Sequence, residues 1–254
     1  MNVVTICQRK GGNGKSTAVI NLAYAYARLY GHKVLVIDAD DQRNTTSTIP
    51  TKRPVTKTLE SLLLEHGAAV EDVAEPTAWH NIDIVAGNPG LSSAASALDS
   101  LPDGHDTLRC KIRGSEYDLC LIDTSPSLNM LTINAMCASD GLIIPLSSNY
   151  FSLEGLAQTM DAYRKLRSDV RKNLQLFGIA FVIHDGRTRL ANEVHEKVQE
   201  QYPDVLCETV ISRNIKIEEA QVCKQSIFTY APKDRGVLQY RLLAEELAIR
   251  MRML

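Results

Sequence analysis

Short apolar runs alternate along the chain with longer segments in which apolar residues recur every three or four positions. The first pattern predicts buried strands, and the second predicts amphipathic helices. Their alternation is typical of a parallel sheet with helices on both faces. We therefore expect an α/β fold with a doubly wound, mostly parallel sheet. The predicted strands are residues 2–7, 33–37, 82–85, 119–122, 141–145, 178–183 and 206–210.

Five longer segments carry the helical period. In the last of them, Leu243, Leu247, Met251 and Leu254 lie at the spacing of a core-facing stripe. Residues 45–58, rich in Thr and Pro, predict a mobile surface loop instead. The predicted helices are residues 15–30, 128–138, 153–170, 190–202 and 237–253.

Length and composition favour one cytoplasmic domain. A chain of 254 residues with 44% hydrophobic content and a net charge of −2 is long enough for a large core, and we expect a single domain over residues 1–254. No apolar run reaches the roughly 18 residues of a membrane span. Because the first predicted strand starts at residue 2, we expect no signal peptide.

A glycine-rich segment directly after the first strand predicts a phosphate loop. Its glycines let backbone N–H groups approach phosphate oxygens, and the helix that follows directs its positive dipole end at the anion. Lys15 is suited to contact the β- and γ-phosphates, and the Ser16 hydroxyl is suited to bind Mg²⁺. The predicted nucleotide-binding residues are Lys10, Gly11, Gly12, Asn13, Gly14, Lys15, Ser16 and Thr17.

One departure from the general phosphate-loop pattern is informative. Arg9 stands where the first glycine is usual, and Lys10 precedes the glycine pair. This deviant form resembles the ParA/MinD family of dimeric P-loop ATPases, and the chain is similar to short, Soj-like ParA partition proteins. The resemblance implies ATP and Mg²⁺ as cofactors, and a homodimer in which Lys10 contacts the ATP of the other subunit. The alternative for Lys10 is an ordinary solvated loop cation.

A second motif begins with Asp38 and resembles the family's D-x-D-P-Q-x-N switch segment. The resemblance implies that Asp40 positions or activates the attacking water, while Asp38 supports the loop and the Mg²⁺ shell. The alternative is that both carboxylates cap a turn. Asp41 replaces the usual proline and Arg43 the usual glycine, so we expect slow hydrolysis that depends on a partner.

A third motif is the apolar run 119–122 followed by Asp123, which matches a Walker B strand. Asp123 is thereby expected to hold a Mg²⁺-bound water or the Ser16 hydroxyl. Ser125 replaces the first proline of the family's D-x-P-P-S segment. In order with the other two motifs, Asp123 supports an ATPase, whose expected catalytic residues are Lys10, Lys15 and Asp40.

Two later segments resemble those of short ParA proteins, so that the resemblance extends over nearly the whole chain. In residues 210–220, which resemble an I-P-R-N-x-x-x-x-E-A segment with Ser212 for the proline, Arg213 and Asn214 are the expected base contacts. In residues 185–189, which resemble D-x-R-T, Arg187 matches a DNA-contacting position.

Nonspecific DNA binding is the next expectation. From residue 160 onward the chain carries 16 Lys and Arg against 13 Asp and Glu, a modest excess. Binding without sequence preference requires several cations presented together to phosphates. For each cation the alternative is an ordinary surface residue. The expected DNA-binding residues are Arg187, Arg189, Arg213 and Lys216.

The resemblance therefore implies a nucleoid-associated partition ATPase that binds DNA as an ATP-bound dimer. A ParB-type centromere-binding protein is the expected partner that stimulates hydrolysis. One alternative is the positioning of a protein cargo on the nucleoid by the same switch. Another is MinD-like placement of the septum on a membrane. Against the latter, Glu245 and Glu246 in the last helix disfavour anionic lipid, so we expect no stable membrane association.

Overall fold

Seven strands form one sheet in the computed structural model, which describes residues 1–253. The spatial order is β3-β4-β2-β5-β1-β6-β7, and every pair is parallel except β3 with β4. The expected doubly wound, mostly parallel sheet is thus confirmed. The strands are β1 (Asn2–Ile6), β2 (Val34–Ala39), β3 (Glu75–Pro76), β4 (Ile82–Val85), β5 (Leu119–Thr124), β6 (Gly141–Leu146) and β7 (Gln175–Phe181).

Helices connect the strands, as parallel pairing requires. They are α1 (Lys15–Leu29), α2 (Asn44–Thr48), α3 (Leu59–Leu64), α4 (Val70–Val73), α5 (Leu91–Asp99), α6 (Thr107–Ile112), α7 (Met130–Ala138), α8 (Tyr150–Asp169), α9 (Arg189–Gln201), α10 (Ile215–Val222), α11 (Ile227–Tyr230) and α12 (Arg235–Arg250), with a 3₁₀ turn at Gly104–Asp106.

Alternate strand residues pack on opposite faces of the sheet. Val4 and Val36 lie in one buried cluster with α1 and α12, whereas Val3 and Leu35 lie in another with α3, α5 and α7. A third cluster joins β6 and β7 to α8 and α9. Because the central strands are covered on both faces, their sequences are continuous apolar runs.

The last helix packs onto the sheet as its apolar spacing predicts. Leu243, Leu247 and Met251 are buried, while Leu254 lies outside the described residues. Arg250 donates to the backbone carbonyls of Phe177, Val205 and Leu206 and pairs with Glu246 at 2.8 Å. This arginine is therefore held within the fold. None of the helices within residues 1–253 has both the length and the apolar character that a bilayer crossing needs.

The predicted strand at 206–210 is wrong. Residues 205–207 form one isolated bridge with Ile179 of β7. The N–H groups of Glu208 and Thr209 then donate to the carboxylate of Glu246 instead of to β7. This side chain from α12 takes the donors that a continuing ladder needs. The seventh strand is instead β3, a two-residue edge strand that ends in proline, where the missing N–H is tolerated.

The predicted surface loop at 45–58 is wrong over its first residues. Residues 44–48 form α2, and Thr45 and Ile49 are fully or almost fully buried. Hydrogen bonds from this short helix to carboxylates of the sheet hold it in place, and its five residues are too few to display a helical period.

Candidate functional site

The carboxyl ends of the parallel strands place the three sequence motifs at one edge of the sheet. The phosphate loop follows β1, Asp38 lies near the end of β2, and Asp123 lies near the end of β5. Asp38 and Asp123 are direct neighbours in register, and Ile6 pairs with Asp123 on the other side. Ligands of doubly wound sheets bind at this edge.

An open cavity of about 550 Å³ lies over the phosphate loop. The left-handed backbone at Gly12 and Gly14, with φ of 75° and 68°, shapes the loop. A Cβ at either residue would be strained, which explains why glycine is needed there. The cavity is lined by residues 11–17 of the loop together with Asp40, Gln42, Asn44, Ser47, Thr48, Pro126, Gln221, Val222 and Lys224.

The amino terminus of α1 opens into this cavity. Gly14 is its N-cap, so no side chain bonds to the first N–H groups, and the first turn contains no acidic residue. A 15-residue helix with free amino-terminal donors presents partial positive charge to an anion. The loop therefore has the polarity that a phosphate group requires.

Lys15, the first residue of α1, lines the cavity and is only 7% exposed. Burial lowers the pKa of Lys15, while the nearby carboxylates of Asp123 and Asp40 oppose that shift. A buried ammonium is costly unless anions surround it. Lys15 is thus placed to gain from a further anion in the cavity.

Asp38 holds the switch segment to the sheet. Its Oδ2 accepts hydrogen bonds from the backbone N–H of Thr46 at 2.7 Å and from the Thr46 hydroxyl at 2.6 Å. Its Oδ1 accepts from the N–H of Asp40 at 3.2 Å. Burial raises the pKa of Asp38, and these hydrogen bonds limit the rise. Supporting the loop, as expected for Asp38, is consistent with these contacts.

Asp123 is buried, and only one of its two carboxylate oxygens accepts a hydrogen bond within residues 1–253. Its Oδ2 accepts from the Thr45 hydroxyl at 2.7 Å, whereas Oδ1 has no hydrogen-bond partner within residues 1–253. Burial and then the charge of Asp38 raise the pKa of Asp123, while the nearby hydroxyls of Ser16 and Thr45 and the Lys15 charge oppose the rise. A buried orphan carboxylate oxygen beside a serine hydroxyl suits a hydrated divalent cation.

Asp40 lies on the cavity side of the switch. It lines the cavity and is only 4% exposed. Its Oδ1 accepts from the backbone N–H of Gln42 at 3.0 Å, so part of its role is to cap a turn. Burial raises the pKa of Asp40, and the negative charge of Asp41 adds to the rise. The hydrogen bond from Gln42 and the positive charge of Lys15 lower the pKa and limit the rise. The other carboxylate oxygen is available to face a ligand.

The comparisons with known proteins agree with this geometry. The model of a family described as an AAA domain matches residues 1–176. The chain is 34% identical over 250 residues to the chromosome-partitioning ATPase Soj of Thermus thermophilus, covering 98% of this chain and 96% of that protein. It is 33% identical over 259 residues to the chromosome partitioning protein ParA of Caulobacter vibrioides, covering 99% and 96%. The chain belongs to the ParA/Soj family of P-loop ATPases.

A solved structure shares the fold at lower identity. Cobyrinic acid a,c-diamide synthase from Mycobacterium smegmatis, with bound ATP analog and magnesium, is 22% identical with a TM-score of 0.82. The match covers 96% of this chain and 93% of that one. The cell division ATPase MinD of Pyrococcus furiosus also shares the fold, at 24% identity and a TM-score of 0.78 over 98% of each chain, which confirms the ParA/MinD-type P-loop fold that the deviant loop predicts.

Asn13, within the loop of this ParA/Soj family member, is held by the start of α8. The Ser147 and Ser152 hydroxyls both donate to Asn13 Oδ1, and the backbone N–H of Ser152 donates to Oδ1 of the N-cap residue Asn149. All of these side chains except Asn149 are buried. The loop is thus fixed by residues more than 130 positions away along the chain, which no local motif indicates.

Lys10 lies outside the cavity lining and against α8. Its ammonium lies 5.1 Å from the ring centre of Phe151, which is 64% exposed. A Cβ on Gly155 would approach the Lys10 Cβ at 3.0 Å, so glycine allows helix and loop to meet closely. Contact between Lys10 and a nucleotide of a second subunit stays a prediction.

The expected base contacts lie beside the main cavity. Asn214 caps α10 by accepting from the N–H of Lys216, donates to Asp234, and lines an adjacent cavity of about 40 Å³. Arg213 lines neither cavity. Gln221, Val222 and Lys224 line the main cavity instead, and the Thr17 hydroxyl donates to Gln221 at 3.2 Å. Base contact by Arg213 and Asn214 stays a prediction.

The expected DNA-binding cations are mostly ion-paired. Arg187 makes a two-point contact with Asp185, Arg189 pairs with Glu193, and Lys216 pairs with Glu219. The pairing with Arg187 holds the pKa of Asp185 at about 2. The arginines remain highly exposed, with 89% of the Arg187 side chain accessible. DNA contact by these residues and by Arg213 also stays a prediction.

Sequence reasoning missed the residues that support the aspartates. Thr45 and Thr46 bond to Asp123 and Asp38, and the backbone N–H of Gly87 donates to the Thr46 hydroxyl at 2.9 Å. A Cβ on Gly87 would lie 2.8 Å from the carbonyl oxygen of Asp38. The two threonines directly follow the switch motif, so their position in the sequence could have indicated contact with its aspartates. No sequence signal pointed to Gly87.

Proposed function

We propose that this protein is a partition ATPase that binds DNA nonspecifically as an ATP-bound homodimer and releases it after hydrolysis. The ParA/Soj relatives named as chromosome-partitioning proteins support this proposal. A ParB-type protein is the proposed partner that stimulates hydrolysis. The nucleoid is then the proposed location.

The phosphate-binding geometry carries the proposal. The uncapped amino terminus of α1 and the buried Lys15 both face a cavity large enough for a nucleotide. Backbone donors and a buried ammonium gain most from a polyphosphate, since its charge offsets the cost of burying Lys15. ATP is therefore the proposed substrate, held by residues 11–17.

Mg²⁺ fits the residues behind the cavity. The Ser16 hydroxyl is the proposed direct ligand, and the orphan Oδ1 of Asp123 is an acceptor for a water of the ion's shell. Asp38 supports this arrangement through the switch segment. When bound, the ion neutralises phosphate charge during hydrolysis.

Asp40 is the proposed positioning residue for the attacking water. Asp40 lies beside the cavity and is oriented by the backbone N–H of Gln42, so its carboxylate can accept a proton or a hydrogen bond from water. Orientation of the nucleophile and charge stabilisation account for most catalysis of phosphoryl transfer. Lys15 stabilises the charge that develops on the transferred phosphoryl group.

Lys10 is the proposed sensor of the second subunit. Its ammonium now lies over Phe151 at the exposed edge of the site, so a modest movement of the side chain would expose it to a partner. Dimerisation through Lys10 would place two DNA-binding surfaces on one particle. Doubling the number of phosphate contacts roughly squares the electrostatic part of the binding constant.

Three loop variants test this function. Lys15→Ala is expected to reduce ATP binding at least 100-fold, because it removes the buried charge that faces the phosphates. Lys10→Ala is expected to bind ATP normally but to remain monomeric in sedimentation runs with ATP and Mg²⁺. Arg9→Ala, an exposed neighbour in the same loop, is the control that retains both properties. Normal ATP binding by Lys15→Ala would refute the site.

A further inference from the structure

The end of α8 and the turn after it carry the densest run of basic residues within the described chain. Between residues 161 and 172 there are five cations, Arg164, Lys165, Arg167, Arg171 and Lys172, and two carboxylates, in a protein whose net charge is −2. This cluster, which we call the α8 basic end, lies outside the segments for which the sequence predicts DNA contacts.

Three of these cations converge on one open groove of about 410 Å³. Its lining consists of Tyr163, Arg164, Arg167, Ser168 and Lys172. Arg167 donates to the Tyr163 hydroxyl at 3.3 Å, and that hydroxyl bonds in turn to the carbonyl of Leu174. The phenol therefore orients the Arg167 guanidinium at the groove while leaving most of its N–H groups free.

Little negative charge competes for these cations. Arg164 meets Asp161 at 3.2 Å, but both side chains are more than half exposed, and such pairs are weak. Arg167 and Lys172 have no carboxylate within 4.0 Å in the described part of the chain. In contrast, Arg187 already shares two of its N–H groups and its charge with Asp185.

The groove lies far from the nucleotide cavity. Helix α8 begins directly after the carboxyl end of β6, at the edge that holds the phosphate loop, and it ends before the start of β7 at the opposite edge. Twenty residues of helix span about 30 Å. Binding at this groove therefore does not compete with a nucleotide or with a second subunit at the phosphate-loop edge.

We propose that the α8 basic end is a second binding surface for the sugar–phosphate backbone of nucleic acid, and this proposal rests on the proposed function. Arg164 and Arg167 lie one helical turn apart and Lys172 follows the helix end, so three cations line one groove, an arrangement suited to phosphates along a backbone and without base readout. The groove lining has no aliphatic side chain to insert into a bilayer, which disfavours an anionic membrane as the ligand.

The proposed surface has a consequence for the DNA switch. Because each subunit has its own groove away from the nucleotide, a monomer retains a weak DNA contact with ADP or without nucleotide. The ATP-bound dimer contains two grooves and gains affinity by bivalence. Hydrolysis then weakens DNA binding without abolishing it, so that released subunits remain near the nucleoid.

The salt dependence of DNA binding tests this surface. We compare the full-length protein with the double variant Arg164→Gln/Lys172→Gln, using a duplex of arbitrary sequence at several salt concentrations with ADP and with ATP. The slope of log K against log salt is expected to fall in magnitude by roughly 2 per subunit, since each lost phosphate contact removes about 0.9. The charge-matched control Lys52→Gln/Arg53→Gln, on exposed residues elsewhere, should keep the wild-type slope.

Each outcome has a defined meaning. A reduced slope with unchanged ATP hydrolysis and thermal stability supports the α8 basic end. If the double variant binds DNA with the affinity and the salt slope of the wild type, the proposal that the α8 basic end binds DNA is overturned, and the proposed partition function is unaffected. No DNA binding by the wild type overturns both. Loss of binding to phosphatidylserine vesicles, with DNA binding unaffected, would assign the groove to a membrane and contradict the proposal.

Discussion

The Thr45 hydroxyl donates a 2.7 Å hydrogen bond to Asp123 Oδ2 and so joins α2 to the end of β5. The next residue, Thr46, bonds to Asp38 through both its N–H and its hydroxyl. Two consecutive threonines thus donate hydrogen bonds to two neighbouring buried carboxylates. Helix α2, Asp38 and Asp123 are therefore joined in one hydrogen-bonded unit.

Thr45→Val tests this unit. The substitution keeps the shape but removes the only donor to Asp123 Oδ2 found in the described residues, so we expect a loss of about 1–3 kcal/mol in the free energy of unfolding. Thr45→Ser retains the hydroxyl and should lose clearly less. Urea denaturation of the three proteins at pH 7.5 measures the difference, and equal stabilities would show that the bond contributes nothing.

The stability of the nucleotide-free protein should fall with rising pH because of Asp123. Its pKa is raised by burial from 3.8 to about 7, so the folded state keeps a proton that the unfolded state has already released. The free energy of unfolding therefore decreases between those pH values and levels off above them. Asp123→Asn should flatten this decline and be more stable than wild type at pH 8, by at least about 1 kcal/mol.

Denaturation in EDTA across pH 4 to 8 measures this effect. Asp103→Asn, at an exposed site, is the control that keeps the wild-type profile. An Asp123→Asn variant with an undiminished decline would show that the pH dependence arises elsewhere. Added Mg²⁺ should raise wild-type stability at pH 8 more than that of the variant.

Arg43 adopts a left-handed backbone, with φ of 56°, where a glycine is usual in the family's switch. A residue with a side chain in this conformation destabilises the folded state by about 1–2 kcal/mol relative to glycine. Glycine in turn loses more conformational entropy on folding, which offsets about 0.5–1 kcal/mol of the gain from the substitution. We therefore expect Arg43→Gly to stabilise the protein by up to about 1 kcal/mol in urea denaturation. Arg53→Gly, an exposed arginine without positive φ, should destabilise it, and the same sign for both would contradict the strain argument.

Asp40→Ala should stop turnover and preserve ATP binding. The carboxylate lies at the cavity but makes only a local turn bond, so its removal leaves the phosphate loop intact. We expect hydrolysis to fall 100-fold or more, the size of effect for a group that orients or deprotonates water. Asp103→Ala, at an exposed aspartate outside the cavity lining, is the control in phosphate-release assays. Hydrolysis unchanged in Asp40→Ala would remove Asp40 from this role.

The sequence contained the information for the phosphate loop, Asp38, Asp40 and Asp123 because each lies in a contiguous motif beside an apolar strand. The strands that carry them were predicted within a few residues, since a buried parallel strand is a continuous apolar run. Their position at one edge then follows from the parallel topology alone.

Contacts between distant segments were beyond such reasoning. The predicted strand at 206–210 is wrong because the backbone N–H groups of Glu208 and Thr209 donate to Glu246 of α12. No local sequence pattern indicates this contact. Helices such as α4, with four residues, are too short for a period to appear. The Asp185 and Glu193 partners of Arg187 and Arg189 are close in sequence instead, and the i,i+4 spacing of Arg189 and Glu193 was a usable signal.

Binding of an arbitrary DNA duplex without nucleotide, with ADP and with ATP tests the central claim most directly. Measured at two salt concentrations with anionic liposomes in parallel, DNA binding should be strongest with ATP and should weaken with salt, and the liposomes should remain unbound. Equal DNA affinity in all three nucleotide states, or ATP-dependent binding to liposomes in place of DNA, would contradict a DNA partition switch.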